Sequence, residues 1–287
     1  MSSNHPEVRT RIARLFVYPV KSCAGVEVPE ALLTETGLDL DRAWMVVDDK
    51  GEFVTQRELP RMALVKTQLK RYEVILRAPG MLPLHLAADQ VEKPARVRVW
   101  KDEVDAWDMG DVAAQWFSDF LGRKLRVARF DPEVRRASDK KWTGDIEALN
   151  QFSDAYPLLV ASEGSLAELN RRLAQAGHAP VGIERFRPNI VLAGLETQDE
   201  DRLGEIRIEA DSPVRIKPVK PCTRCTIPDV DPATAQQSTI VADTLRAYRA
   251  NERIGGAITF AMNAVVLEGV DATLRVGQDV TANWAFA

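Results

Sequence analysis

The sequence predicts a mainly β fold with some α (α+β), arranged as two strand-rich domains with peripheral helices. Apolar and β-branched runs of strand length recur through both halves, Gly, Asp and Pro positions separate them, and only three windows show a helical face. At 287 residues the chain exceeds what one small core organises, so a pair of domains is the starting expectation. A polar stretch at 131–145, rich in Arg and Lys and poor in core formers, supplies the boundary, giving domains over 1–130 and 131–287. Its charge run, Arg135, Arg136, Lys140 and Lys141, reads as the solvated surface of a flexible loop.

The first half reads as strands over residues 12–20, 44–48, 74–76, 97–100 and 125–130. One helix interrupts them, because Ala113, Trp116, Phe117, Phe120 and Leu121 share a face, with Asp111 placed to cap the start and Gly122 the end. A second helix opens with the capping-box order Ser165, Leu166, Ala167, Glu168, sets Leu166, Leu169 and Leu173 on one side and stops near Gly177. A third runs over 239–248. Strands resume at 189–192, 205–208, 214–219, 259–268 and 273–280, so the second half reads as a barrel with helices outside it.

Lys and Arg number 38 against 42 Asp and Glu, so the net charge is −4 and no overall basic field exists to hold a nucleic-acid backbone or an acidic bilayer. No window approaches the ~18 consecutive apolar residues of a spanning helix, and the first residues lack a secretory pattern. The expectation is a cytoplasmic protein with neither nucleic acid nor membrane as partner. Three cysteines, Cys23, Cys222 and Cys225, fit a reducing compartment better than a disulfide scaffold.

The densest chemistry lies in Lys220, Pro221, Cys222, Thr223, Arg224, Cys225, two thiols three positions apart beside two cations. Such surroundings favour the thiolate, which binds metals and attacks electrophiles. The plain reading is two partly buried cysteines in a turn. Structural zinc needs four N or S ligands, and Cys23, His5, His85 and His178 are not paired. The deaminase order H-x-E then P-C-x-x-C is imitated by His5, Pro6, Glu7 and Pro221, Cys222, Cys225, but His5 sits at the terminus and over half the chain separates the elements. A thioredoxin-like dithiol needs a βαβ context, whereas these flanks read as strand and loop. The remaining reading is a soft metal held by one thiolate, with its other ligands from a cofactor.

The run Val17, Tyr18, Pro19, Val20, Lys21, Ser22, Cys23, Ala24, Gly25 resembles the start of the MOSC amino-terminal β-barrel. Asp41, Arg42, Ala43, Trp44 resembles its next motif, and Phe53, Val54, Thr55, Gln56, Arg57 with Pro60 and Arg61 fits too. Phe186, Arg187, Pro188, Asn189, Ile190 and Cys222 to Cys225 followed by Asp229, Val230, Asp231, Pro232 are similar to the MOSC domain proper. The resemblance covers about 12–280, and it implies a MOSC-type barrel over 1–130 followed by a MOSC domain over 131–287.

Bacterial reductases of hydroxylaminopurines and the mitochondrial amidoxime-reducing component are the relatives that the resemblance suggests. It therefore implies a molybdenum cofactor, a pterin dithiolene with a terminal phosphate, whose one protein ligand falls on Cys225, with Cys222 a structural neighbour. Lys21, Ser22, Arg42, Arg187, Thr223 and Arg224 would bind the cofactor by charge and hydrogen bonds. Asn189 would recognise a heterocycle edge with its donor and acceptor. Where relatives carry Ser-Asp-Thr-Ser near the metal, this chain has Ser153, Asp154, Ala155, Tyr156, so backbone contacts are implied at Ala155 and Tyr156. Asp154 would stand near the metal as a second catalytic residue, its carboxyl holding a proton for the leaving oxygen.

The implied activity is reduction of N-hydroxylated or N-oxide compounds to amines, by oxygen atom transfer to molybdenum with two electrons and two protons to reset it. The alternative is a carrier of molybdenum cofactor or sulfur without turnover of its own. No cysteine follows Cys225 to hold a ferredoxin-type cluster, and no G-x-G-x-x-G turn supplies a dinucleotide site. A separate electron-donor protein, a reductase or ferredoxin-type partner, is therefore expected.

Overall fold

The computed structural model describes residues 7–285; His5 of the deaminase-like pattern lies outside the described residues. Seven strands close a barrel: β1 (Glu7–Val17), β2 (Leu158–Ser162), β3 (Ile190–Ala193), β4 (Leu203–Glu209), β5 (Pro213–Thr223), β6 (Ala257–Glu268) and β7 (Asp279–Trp284). Their order is β2, β3, β1, β7, β4, β5, β6, and β6 pairs back to β2. Only β2 and β3 run parallel. Period-two alternation decides what each strand faces. Leu15 and Val17 of β1, with Leu158 and Val160 of β2, join one core, while Phe16, Tyr18, Leu159 and Ala161 join the layer beneath the helices.

Four α-helices accompany the strands: α1 (Gly110–Leu121), α2 (Lys140–Thr143), α3 (Glu163–Gln175) and α4 (Ile240–Arg246). Leu169 and Leu173 of α3 and Val241 and Leu245 of α4 cover the barrel's outer layer. In the first half, Trp44–Val47, Arg126–Phe130, Asp102–Asp108 and Lys93–Val99 form a four-stranded antiparallel sheet. Lys66–Leu69, Glu73–Arg77 and Leu84–Ala87 form a meander. The apolar face of α1, Trp116, Phe117 and Phe120, packs with Trp44, Val46 and the meander residues Val74 and Leu76 in a core of their own. The expected strand-rich fold with peripheral helices is what the chain adopts.

Several local expectations are corrected. The stretch 131–145 does not divide the strands cleanly, because β1 from the chain's start sits between β3 and β7 of the second-half barrel. Nor is that stretch a bare solvated loop: it contains α2, and Arg136 is buried. The single strand expected at 273–280 is two, Thr273–Arg275 and β7, since Gly277 turns the chain between them at φ +89°. Helix α3 is capped by Ser162, whose hydroxyl accepts the Ser165 N–H at 3.1 Å, three residues before the expected cap. At α1 the carboxylate of Asp108 takes the Gly110 N–H at 2.7 Å, and Asp111 instead binds Arg126 at 3.0 Å. Gly122 ends α1 in the left-handed region, as its position in the sequence implies.

Candidate active site

Strand register gathers the site. Leu159 lies opposite Asn263, Lys220 lies opposite Asn263, and Ile190 is paired with both Leu15 and Val160. The turn after β1, the lead-ins to β2 and β3 and the end of β5 thus meet at one cavity. Every site residue singled out in the sequence lines it: Lys21, Ser22, Arg42, the run Asp154 to Tyr156, Arg187, Asn189 and the run Thr223 to Cys225. Three of them, Ser22, Arg42 and Arg187, hold left-handed backbone at φ +66°, +52° and +59°. Such conformations cost a non-glycine residue about 1–3 kcal/mol each and persist where the surroundings enforce them, often at functional sites.

The lining is strongly cationic: Lys21, Arg42, Arg57, Arg187 and Arg224 face it against one carboxylate, Asp154. Arg42 and Arg187 both lie over the buried Tyr18 ring, 4.4 and 4.3 Å from its centroid. Arg42 is fixed by Asp41, by the Arg187 carbonyl at 3.1 Å and by the Asn189 side-chain oxygen at 3.3 Å. Arg187 donates to the Cys23 carbonyl at 2.6 Å, and burial beside a second guanidinium pulls it below arginine's ordinary range to about 10. Its Nη2 and the Nε of Arg224 are buried donors without a partner among the described residues. Buried guanidinium N–H groups in a cavity with surplus positive charge can serve an anion.

Asn189 is only 1% exposed, and its amide is engaged within the protein. Its oxygen accepts Leu159 N–H at 3.1 Å, besides Arg42, and its nitrogen donates to the Phe16 carbonyl at 3.3 Å. The expectation that it presents a free amide edge is therefore corrected: it ties β1 to β2 and orients Arg42.

Lys21 is buried, donating to the Phe152 carbonyl at 2.8 Å and to Asp154 Oδ1 at 2.5 Å. Asp154 is exposed to the cavity and also accepts the Trp100 indole N–H at 3.1 Å. Although burial would raise its pKa, the Lys21 ammonium and these hydrogen bonds hold it below the carboxylate range. Lys21 is itself lowered, by burial ahead of the opposing attraction to Asp154.

Strand β5 carries Cys222 on its last turn of pleat, and Cys225 follows beyond it, exposed. Arg224 donates to Cys222 Sγ at 3.0 Å and to the Phe186 carbonyl at 3.0 Å. The two thiols thus differ: Cys222 supports an arginine, and Cys225 stands free in the cavity wall. Among the described residues no group of three or more His, Cys, Asp or Glu side chains converges as a metal site.

Residues 9–124 match the MOSC N-terminal beta barrel domain and residues 148–281 the MOSC domain. Mitochondrial amidoxime-reducing component 1 of Mus musculus is 34% identical over 283 residues, covering 94% of this chain and 81% of that protein. The chain belongs to the MOSC-domain family. Mitochondrial amidoxime reducing component 2 of Rattus norvegicus is 35% identical, over 83% of this chain and 72% of its own. Molybdenum cofactor sulfurase of Bos taurus is 30% identical over 83% of this chain, which spans 29% of that protein. No helix among the described residues is long and apolar enough to cross a membrane.

Within this MOSC chain, four residues of the site escaped the sequence reading. Arg136 reaches the Asn150 side chain and the Gln151 and Ser153 carbonyls, each at 2.7 Å, and so shapes the segment that ends in Asp154. Its signal was hidden in a charge run. Tyr18 and Asp41 lay inside quoted motifs without a role, and Trp100 looked like the end of a strand.

Proposed function

We propose that the cavity binds a molybdenum cofactor and that the chain reduces N-hydroxylated or N-oxide compounds to amines, drawing electrons from a separate protein. One observation carries the reading: buried donors of Arg187 and Arg224 that have no partner among the described residues share a cation-lined cavity with an exposed Cys225. The residues fit an anionic pterin with a terminal phosphate, since charge, donors and one thiol are all present. Arg42, Arg187 and Arg224 would hold its anionic end, backbone at Ser22, Ala155, Tyr156 and Thr223 would contact it, and Cys225 would be the protein's ligand to its metal. Bound there, the group supplies a centre that exchanges two electrons and accepts oxygen.

The chain's own part is proton supply and positioning. Cleaving an N–O bond to an amine and water takes two electrons and two protons, and Lys21 Nζ holds a proton 2.5 Å from the carboxylate at the cavity wall. Asp154 keeps that ammonium charged and can accept a hydrogen bond from the substrate's N–OH.

The test is expression in a host that makes the cofactor, then molybdenum analysis and assay of benzamidoxime or a hydroxylaminopurine with an artificial low-potential donor. Stoichiometric molybdenum with turnover, and turnover from NADH only after a reductase or ferredoxin-type protein is added, is the expected result. The likeness to a molybdenum cofactor sulfurase favours one other reading, a cofactor or sulfur carrier. Full molybdenum with no turnover of any N-hydroxylated compound would select it.

A further inference from the structure

A second cavity adjoins the first and shares Asp154, Ala155 and Tyr156 with it. Its outer wall is Trp100, at the tip of the hairpin between Lys93–Val99 and Asp102–Asp108. This side chain is 47% exposed, and its backbone is left-handed at φ +57°. A bulky residue rarely adopts that conformation, and a large aromatic left half in solvent contributes little to a core. Yet the indole is firmly placed. Arg57 lies 4.7 Å over its ring, Phe53 packs 5.0 Å away at 59°, and its N–H binds Asp154 at 3.1 Å. Tyr156 and Lys220 also line the cavity, the ammonium 5.9 Å from the Tyr156 ring.

Resting on the reductase reading above, we infer that this cavity receives the planar aromatic body of the N-hydroxylated substrate, with Trp100 as its specificity-determining wall. The indole hydrogen bond joins that wall to the carboxylate facing the first cavity. An aryl group against Trp100 would therefore carry its N–OH edge to Asp154 and Lys21. The substrate class is a flat aromatic ring bearing an amidoxime or hydroxylamine, and the cationic amidine formed from an amidoxime gains further from the aromatic face and from Asp154. A small non-aromatic N-hydroxylated compound has no ring to lay against the indole and gains no stacking from it.

The test compares benzamidoxime with N-hydroxyurea on cofactor-loaded wild type, Trp100→Ala and Trp100→Phe, normalised to molybdenum. Trp100→Ala should lower the ratio of kcat/KM for benzamidoxime over N-hydroxyurea about tenfold, as loss of one aromatic contact allows, and Trp100→Phe should keep most of it. Equal losses for both substrates in Trp100→Ala, or no change in the ratio, would overturn the assignment. Calorimetric titration with benzamidine separates this idea from the reductase reading. Binding weakened about tenfold by Trp100→Ala, in protein that reduces nothing, would keep the aromatic pocket and retire the reductase. Wild type that binds neither benzamidine nor benzamidoxime would overturn the pocket.

Discussion

The Lys21 ammonium lies 2.5 Å from an Asp154 oxygen, although one residue follows the first strand and the other stands 133 positions later. In the proposed reaction Lys21 Nζ is the proton donor of this pair. Burial drives Lys21 below lysine's ordinary range and Asp154 opposes that shift, so activity should fall as pH rises through the Lys21 pKa. Asp154→Asn removes the opposing carboxylate and should move this alkaline limb to lower pH. Lys21→Met should abolish the limb and lower kcat per molybdenum at least about a hundredfold. An unchanged alkaline limb in Asp154→Asn would show that the proton comes from elsewhere.

The three thiols should separate by reactivity. Cys23 is fully buried, and burial pushes its thiol up to about 12, so it stays protonated and shielded at pH 8. Cofactor-free protein titrated with a chromogenic disulfide should show two reactive thiols when native and a third only after denaturation. Cys225→Ser should remove one of the native pair and prevent molybdenum retention. Cys222→Ser should lower retention much less, through the Arg224 side chain that Cys222 supports. Full molybdenum in Cys225→Ser would exclude Cys225 as the ligand.

Arg187 should matter to the cofactor far more than to the fold. Burial, with Arg42 beside it, pulls Arg187 down to about 10, and a bound anion would offset both. Arg187→Ala removes one hydrogen bond, to the Cys23 carbonyl, and the contact with the Tyr18 ring, and also the repulsion. The cofactor-free variant should unfold within about 2 kcal/mol of wild type, the worth of one hydrogen bond and one cation–π contact before the relieved repulsion is set against them. Its molybdenum content should fall at least about tenfold, as expected for a lost charge-assisted contact. Chemical denaturation and elemental analysis on the same preparation measure both.

Much of this arrangement is legible from side-chain periodicity and motif order. Alternation in Leu15, Phe16, Val17 and Tyr18 declares a strand buried on two sides, and Arg187 with Cys225 stands out by residue type. Pairing is not local information. Nothing in β1 says that its neighbours are β3 and β7, which lie more than 170 residues away. Caps fail for a smaller reason: Ser162 and Ser165 offer the same hydroxyl, and only the backbone of the preceding strand decides which caps α3. Burial of a charge is least legible, because Arg135 and Arg136 are identical in type, yet one is exposed and the other enclosed.

That difference gives the last prediction. Arg135 pairs with Glu147 at the surface, where an ion pair contributes about 0–1 kcal/mol, so Arg135→Ala should be nearly silent. Arg136 has a side chain 6% exposed, forks onto the Asn150 side chain and the carbonyls of Gln151 and Ser153, and binds Asp102 at 3.0 Å. Removing it leaves several buried acceptors unsatisfied, which should cost about 3–5 kcal/mol. Arg136→Lys should recover little, since one ammonium cannot span the positions that a planar fork reaches. The loss should also loosen the segment that sets Asp154 against Lys21. Amide hydrogen exchange should therefore rise in residues 150–154 of the variant under conditions where the rest of the fold is intact, and kcat should drop with it. Equal exchange in this segment and unchanged kcat would reduce Arg136 to a general stabiliser.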